Sequence, residues 1–231
     1  MTPTAQSPSH GQGRGRSRLP RAEREAQMLD TAHALFAERG YAAVTMDEVA
    51  AAVGVTKPLL YTYFGNKDRL YLACMRPAGD ALLETVLAAV GATSTPTDAL
   101  RSGIQAFFAF IDADRSAWRV LFDETLPAGG EVARGVLEYR ERLEGLVTAA
   151  LLDQLPAGRG GRRARAEVAA LSAALLGAAE ALGRWWLRTG AIPATEAAEL
   201  LITTVEPGLR ERAAGRGGNA PTATTETREP S

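Results

Sequence analysis

A chain of 231 residues has room for one or two domains of ordinary size and none for a large multidomain enzyme. With 46% hydrophobic and 23% charged residues it has a globular composition, which excludes global disorder and a fibrous fold. A formal net charge of −1 gives no sign of a polyanionic partner, yet Arg14, Arg16 and Arg18 open the chain with no acid among its first 20 residues.

Residues 1–18 are rich in Ser, Pro, Gly and Arg and are expected to form a disordered basic arm. A first helix is expected from Pro20 to Arg39, with Pro20 in its first turn and Gly40 ending it. Short helices then start after Thr45, Thr56 and Asn66, and Pro77 is expected to kink or break the third of these. Leu100, Ile104, Phe107, Phe108 and Ile111 repeat at helical spacing and define an apolar stripe. Further helices are expected from Val132 to Leu155, from Arg162 to Arg188, and from Thr195 onward, the last disturbed or ended by Pro207. Residues 213–231 read as a disordered tail. No segment alternates as a strand would, so the fold is expected to be all-α.

Several chemistries lack their residues. Cys74 is the only cysteine, so no internal disulfide can form. His10 and His33 offer no metal-ligand spacing with it, and neither a metal nor a cofactor is expected. No uninterrupted apolar run reaches the roughly 18–20 uncharged residues of a membrane span. The nearest, Val168 to Leu182, is shorter and contains Glu180. The expectation is a cytoplasmic protein with no membrane partner.

Residues 44–70, VTMDEVAAAVGVTKPLLYTYFGNKDRL, carry the functional signal. Thr45 with Glu48 forms a capping box, flanked by a hydrophobic staple from Val44 to Val49. Gly54 supplies the left-handed residue that ends this helix, and Thr56 caps the next, with Pro58 tolerated in its first turn. Gly65 ends that helix and Asn66 caps a third. Two short helices around a glycine turn are a helix-turn-helix, whose second helix enters a DNA major groove. On that helix Leu60 faces the core. Pro58, Leu59 and Thr62 lie opposite, Tyr61 and Tyr63 flank them, and Lys57 reaches out from the first turn. Apolar groups for thymine methyls, hydroxyls and one cation make a mixed reading set. Lys67 stands at a helix start, where the macrodipole disfavours a cation, and a docked phosphate would account for it. Thr45 fits the same logic.

The stretch from about Ala32 to Leu72 contains ALFAERGYAAVTMDEVAAAVGVTKPLLYTYFGNKDRLYL and resembles the DNA-binding region of the TetR family of transcriptional regulators. The LFAERGY, VTMDEVA, VGVTK, LYTYF and NKDRL blocks all fall in register. The resemblance implies a head over residues 19–65 and a helical ligand-binding and dimerisation body over residues 66–212. It implies a homodimer on double-stranded operator DNA, most often a repressor released by a small-molecule effector. By position it assigns backbone contacts to Thr45, Tyr61, Tyr63 and Lys67, and base reading to Thr56, Lys57, Pro58 and Leu59. Leu59 departs from the small or hydroxylated residue common there, so the operator is not transferable from a relative.

In the body, Val168, Leu171, Leu175, Leu182 and Trp186 mark one face of the long helix. Ala170, Ala173, Gly177, Ala181 and Arg184 mark the other, which suits close approach by a second helix. With Leu201 and Val205 of the last helix these are the expected dimer contacts. Phe107, Phe108, Trp118, Phe122, Tyr139 and Trp185 concentrate aromatic surface, and a pocket for a largely apolar effector is expected among them. Two other function classes remain: a helical module whose helix-turn-helix docks protein, and an all-α enzyme. The enzyme lacks an evident nucleophile, acid–base pair or phosphate-cradling loop. His33 reads as an ordinary helix residue and Cys74 as a small buried apolar group.

Overall fold

The computed structural model describes residues 20–153 and 161–213. The basic arm, the end of the helix expected to reach Leu155, and the tail from residue 214 lie outside the described residues. Those described form nine α-helices and no strand.

α1 (Arg21–Ala43) buries Met28, Ala32 and Phe36, spaced four apart along one stripe. Its helical path breaks at Gly40, whose φ of 77° and ψ of 163° only glycine adopts easily. α2 (Met46–Val53) starts with the expected capping box at Thr45 and ends at Gly54 in the left-handed conformation. α3 (Lys57–Phe64) turns Leu60 and Phe64 into the core. Burying two such side chains contributes about 1.5–3 kcal/mol each, which fixes an otherwise marginal two-turn helix. Thr56 occupies the N-cap position but its side chain makes no capping bond, unlike Thr45 and Asn66.

α4 (Lys67–Gly91) runs unbroken through Pro77, and α9 (Ala194–Ala213) through Pro207. Neither proline ends its helix, so of the expected kink or break the break does not occur. α4 is packed against α1, α5, α6 and α7, and burial of Leu70, Leu72, Met75, Leu82 and Val86 offsets the roughly 3 kcal/mol that an interior proline costs.

α5 (Pro96–Ala113) buries its whole expected stripe. α6 (Arg115–Leu121) is a short helix missed by periodicity, since seven residues give too few repeats. Asp114 starts it, accepting from the N–H groups of Ser116 and Ala117. α7 (Gly130–Leu152) pairs with α8 (Arg162–Thr189), and α9 closes over α5 and α8. One continuous apolar core runs from Met28 in α1 to Ile202 in α9, so head and body share it.

Candidate nucleic-acid interface and effector cavity

α2, the Gly54–Thr56 turn and α3 present a small polar surface. Thr45, Thr56, Lys57, Pro58, Tyr61 and Thr62 are exposed, with Tyr61 at 41%. Lys57 is not free: its Nζ lies 2.8 Å from the Asp47 carboxylate on α2, which holds the ammonium above its ordinary pKa. Both groups are solvent-exposed, so the pair adds little to stability and is readily exchanged for a phosphate or base edge. Two of the expected contacts are less exposed than the rest. Leu59 is half-buried against the core, and Tyr63 packs beside Phe64 with the Arg21 guanidinium 5.4 Å above its ring.

Lys67 has a partner that its sequence position did not reveal. Its ammonium lies 4.1 Å from the centre of the Tyr41 ring, and burial lowers its pKa against the pull of Asp68, Glu48 and Asp123. The Tyr41 hydroxyl in turn donates to Asp68, and burial with that carboxylate pushes the phenol up to about 12. A cation at a helix start is therefore explained by a tyrosine ring as well as by a phosphate. Tyr41, Asp47 and Arg21 are the residues sequence reasoning missed. They act across helices, and no local spacing marks them.

The expected pocket aromatics divide between core and cavity walls, with Phe122 and Tyr139 lining one small cavity and Phe108 another. Trp118 stacks on Phe122 at 3.8 Å and meets Phe107 edge-on, while Phe107 also packs edge-on against Phe108. Phe107, Phe108 and Trp118 are core residues, at 5%, 1% and 2% exposure. Tyr139 lies against Gly79 and donates to Asp80, and Trp185 points outward. The cavity shared by α4, α5, α7 and α8 is aliphatic. It measures about 60 Å³ and is walled by Val86 and Val90 of α4, Ile104 of α5, Leu143 and Val147 of α7, and Leu175 of α8. Of the expected aromatics only Phe107 reaches it.

Ala170, Ala173, Gly177 and Ala181 form an exposed face of α8, and nothing lies within 4 Å of where a Cβ on Gly177 would stand. Three of the other expected dimer contacts also have partners within the protomer. Arg184 pairs with Glu124 at 3.1 Å and Glu180 at 3.8 Å, Leu201 is only 6% exposed in the protomer's own core, and Val205 is half-buried. The outward apolar group of α9 is Leu200. By length and mean hydropathy α8 also meets a looser measure of a membrane span, one that tolerates two charges, although Glu167, Glu180 and Arg184 keep its uncharged runs short. Its one-third-buried apolar window is that of a helix with a core face and an unpartnered alanine face.

Two family models match: the bacterial regulatory proteins of the tetR family over residues 28–74, and the tetracyclin repressor-like C-terminal domain over residues 96–206. The HTH-type transcriptional activator FasR of Mycolicibacterium smegmatis is 36% identical over 78% of this chain and 79% of its own.

The chain belongs to the TetR family.

TetR-family proteins are ligand-responsive DNA-binding regulators of transcription, and this chain is one of them. A TetR-like transcriptional regulator from Rhodococcus sp. RHA1 superposes with a TM-score of 0.68 at 32% identity, covering 84% of this chain and 99% of that one. AibR, solved with isovaleryl coenzyme A and operator DNA, shares the fold at a TM-score of 0.64 and 23% identity, covering 78% of this TetR-family chain and 97% of its own. Its relatives are regulators, of the kind that bind operator DNA and a small effector, typically as dimers.

Proposed function

We propose that the chain acts as a homodimer on a two-fold symmetric operator and leaves it when a small, largely apolar effector enters the body. Two α3 helices would then occupy successive major grooves about 34 Å apart. Thr56, Lys57, Pro58, Tyr61 and Thr62 face the bases, with Thr45 and Lys67 at the backbone. Dimerisation through α8 and α9 is supported by the exposed Ala170–Ala181 face and by Leu200.

The observation that carries the effector reading is the aliphatic cavity beneath α4. At about 60 Å³ it is far below the roughly 300–1,000 Å³ of an occupied ligand site, so an effector must part α4 from α7 and α8. α4 begins at Lys67 beside α3, and a shift of it moves the head. Effector and operator affinities are thereby linked through two positions of one helix. The chain works by binding alone, with no catalytic step, and in the cytoplasm where its operator lies. The sign of regulation depends on where the operator stands relative to the promoter. Repression is the reading adopted, and the name of FasR as an activator favours activation as the second.

A mobility-shift titration on DNA flanking the chain's own gene, with excess nonspecific competitor, tests this. Sequence-specific retention is expected, two protomers per site, and Gly177→Arg is expected to leave the protomer folded while removing both dimer and shift. A protomer that shifts the site alone overturns the dimer reading. Absence of any specific shift at low salt would instead favour a protein-docking module.

A further inference from the structure

Where α1 of the head crosses α4 and the α5–α6 corner, a separate cavity of about 370 Å³ opens, sharing no lining residue with the aliphatic one. Its walls are mostly alanine and proline, with Leu29 and the Phe110 ring, and its polar groups are Asp30, His33 and Asp114. No Lys or Arg lines it. The carboxylate of Asp30 has no hydrogen-bond or ion-pair partner among the described residues. Asp114 spends Oδ1 on Ser116 and Ala117 as the α6 cap and leaves Oδ2 open. His33 is engaged with the Ser116 hydroxyl at 3.2 Å. Arg115, the nearest cation in sequence, is turned away onto the Trp186 ring and Asp112.

Pro77 adds a further acceptor to this wall. It has no N–H to offer the Ala73 carbonyl one turn earlier, and both residues line the cavity. Cys74, also in the wall, is held neutral by burial, its thiol pushed up to about 12, so it contributes apolar surface and no nucleophile.

We propose that this head–body cavity binds a small organic ammonium cation with an apolar or aromatic body. Two carboxylates with open oxygens, a carbonyl edge without its helical donor and an aromatic wall all favour positive charge, and carboxylates faced by no cation but the His33 imidazole beside Asp114 disfavour an anion. The apolar lining accounts for the rest of the ligand. Because the cavity joins α1 to α4 and α6, its occupant bears on head orientation independently of the effector in the body.

The test uses the full chain and benzyltrimethylammonium, with neopentylbenzene as its neutral isostere, followed by calorimetry or ligand-observed NMR. Saturable binding of the cation is expected, with the neutral probe at least about tenfold weaker. Asp30→Asn, at an exposed position, is expected to weaken the cation about tenfold, and Ala81→Leu, which fills the cavity without changing charge, to abolish it. Thermal melts of both variants check that they fold. No saturable binding, equal binding of the neutral probe, or binding untouched by either substitution overturns the proposal. Operator binding measured on the same samples without probe reports on the regulator reading separately.

Discussion

The backbone N–H of Tyr41 donates to the carboxylate of Asp123 across 2.5 Å, joining the chain just past the α1 break to the loop that follows α6. Asp123 also accepts from the N–H and hydroxyl of Thr125, and the Thr125 hydroxyl accepts from the N–H of Ala42 at 3.1 Å. The next residue, Glu124, reaches Arg184 on α8, which faces the buried Glu180. A body loop therefore holds the start of the helix-turn-helix through its backbone N–H groups. Asp123→Ala leaves the half-buried Tyr41 N–H without its acceptor and is expected to cost about 1–3 kcal/mol in urea unfolding. A loss near zero would show that the loop rests on the head without latching it.

The same contact makes two glycines unequal. Gly40 and Gly54 both have φ of 77°, but a Cβ on Gly40 would stand 2.8 Å from the Thr125 hydroxyl, whereas nothing lies within 4 Å of one on Gly54. Gly54→Ala should cost only the left-handed penalty of about 1–2 kcal/mol. Gly40→Ala adds displacement of Thr125 to a backbone region costing about 1–3 kcal/mol, and is expected to be the more damaging of the two. Equal midpoints in paired denaturation curves would contradict this.

Acid should loosen the head through Glu48. Its carboxylate is held down to about 2 from an ordinary 4.5, by the Arg39 hydrogen bond first and then by the Thr45 hydroxyl and N–H. A folded-state value below the unfolded one means that the contribution is complete above pH 4.5 and is lost as pH falls toward 2. Glu48→Gln keeps a capping side chain but removes the titration. The melting temperature of the wild type should exceed that of the variant near neutral pH and converge with it at about pH 2. A gap that does not close with acid would assign the stabilisation to packing.

What the sequence disclosed of this fold follows the range of the interaction. Thr45 with Glu48, Asn66 with Arg69, and Gly54 are local devices closed within about one turn, and each stands where its residue type predicted. The α5 stripe was legible for the same reason. Pro77 and Pro207 do not end their helices because their local cost is outweighed by packing from other helices. The aromatics of the body were legible as a group but not as core or cavity, since Trp118 against Phe122 and Phe107 is decided by how α5, α6 and α8 cross. Arg184 was placed on an outer face by helical phase, and Leu201 at the dimer interface as part of the last helix. Their ion pairs and burial depend on partners on other elements.

Lys67 is the residue on which local and long-range readings diverge, and its substitution separates them. If its ammonium leaves the Tyr41 ring for a phosphate, Lys67→Met keeps apolar contact with the ring while deleting the charge. The slope of log affinity against log salt should then fall in magnitude by about 0.9 for each lost phosphate contact, for specific and nonspecific DNA alike. Tyr41→Phe tests the opposite case, since it preserves the ring beneath the ammonium and removes only the bond to Asp68. It is expected to leave the salt slope unchanged. A slope unaltered in Lys67→Met would make Lys67 a structural cation of the Tyr41–Asp68 group, and would leave Lys57 as the one lysine to meet DNA.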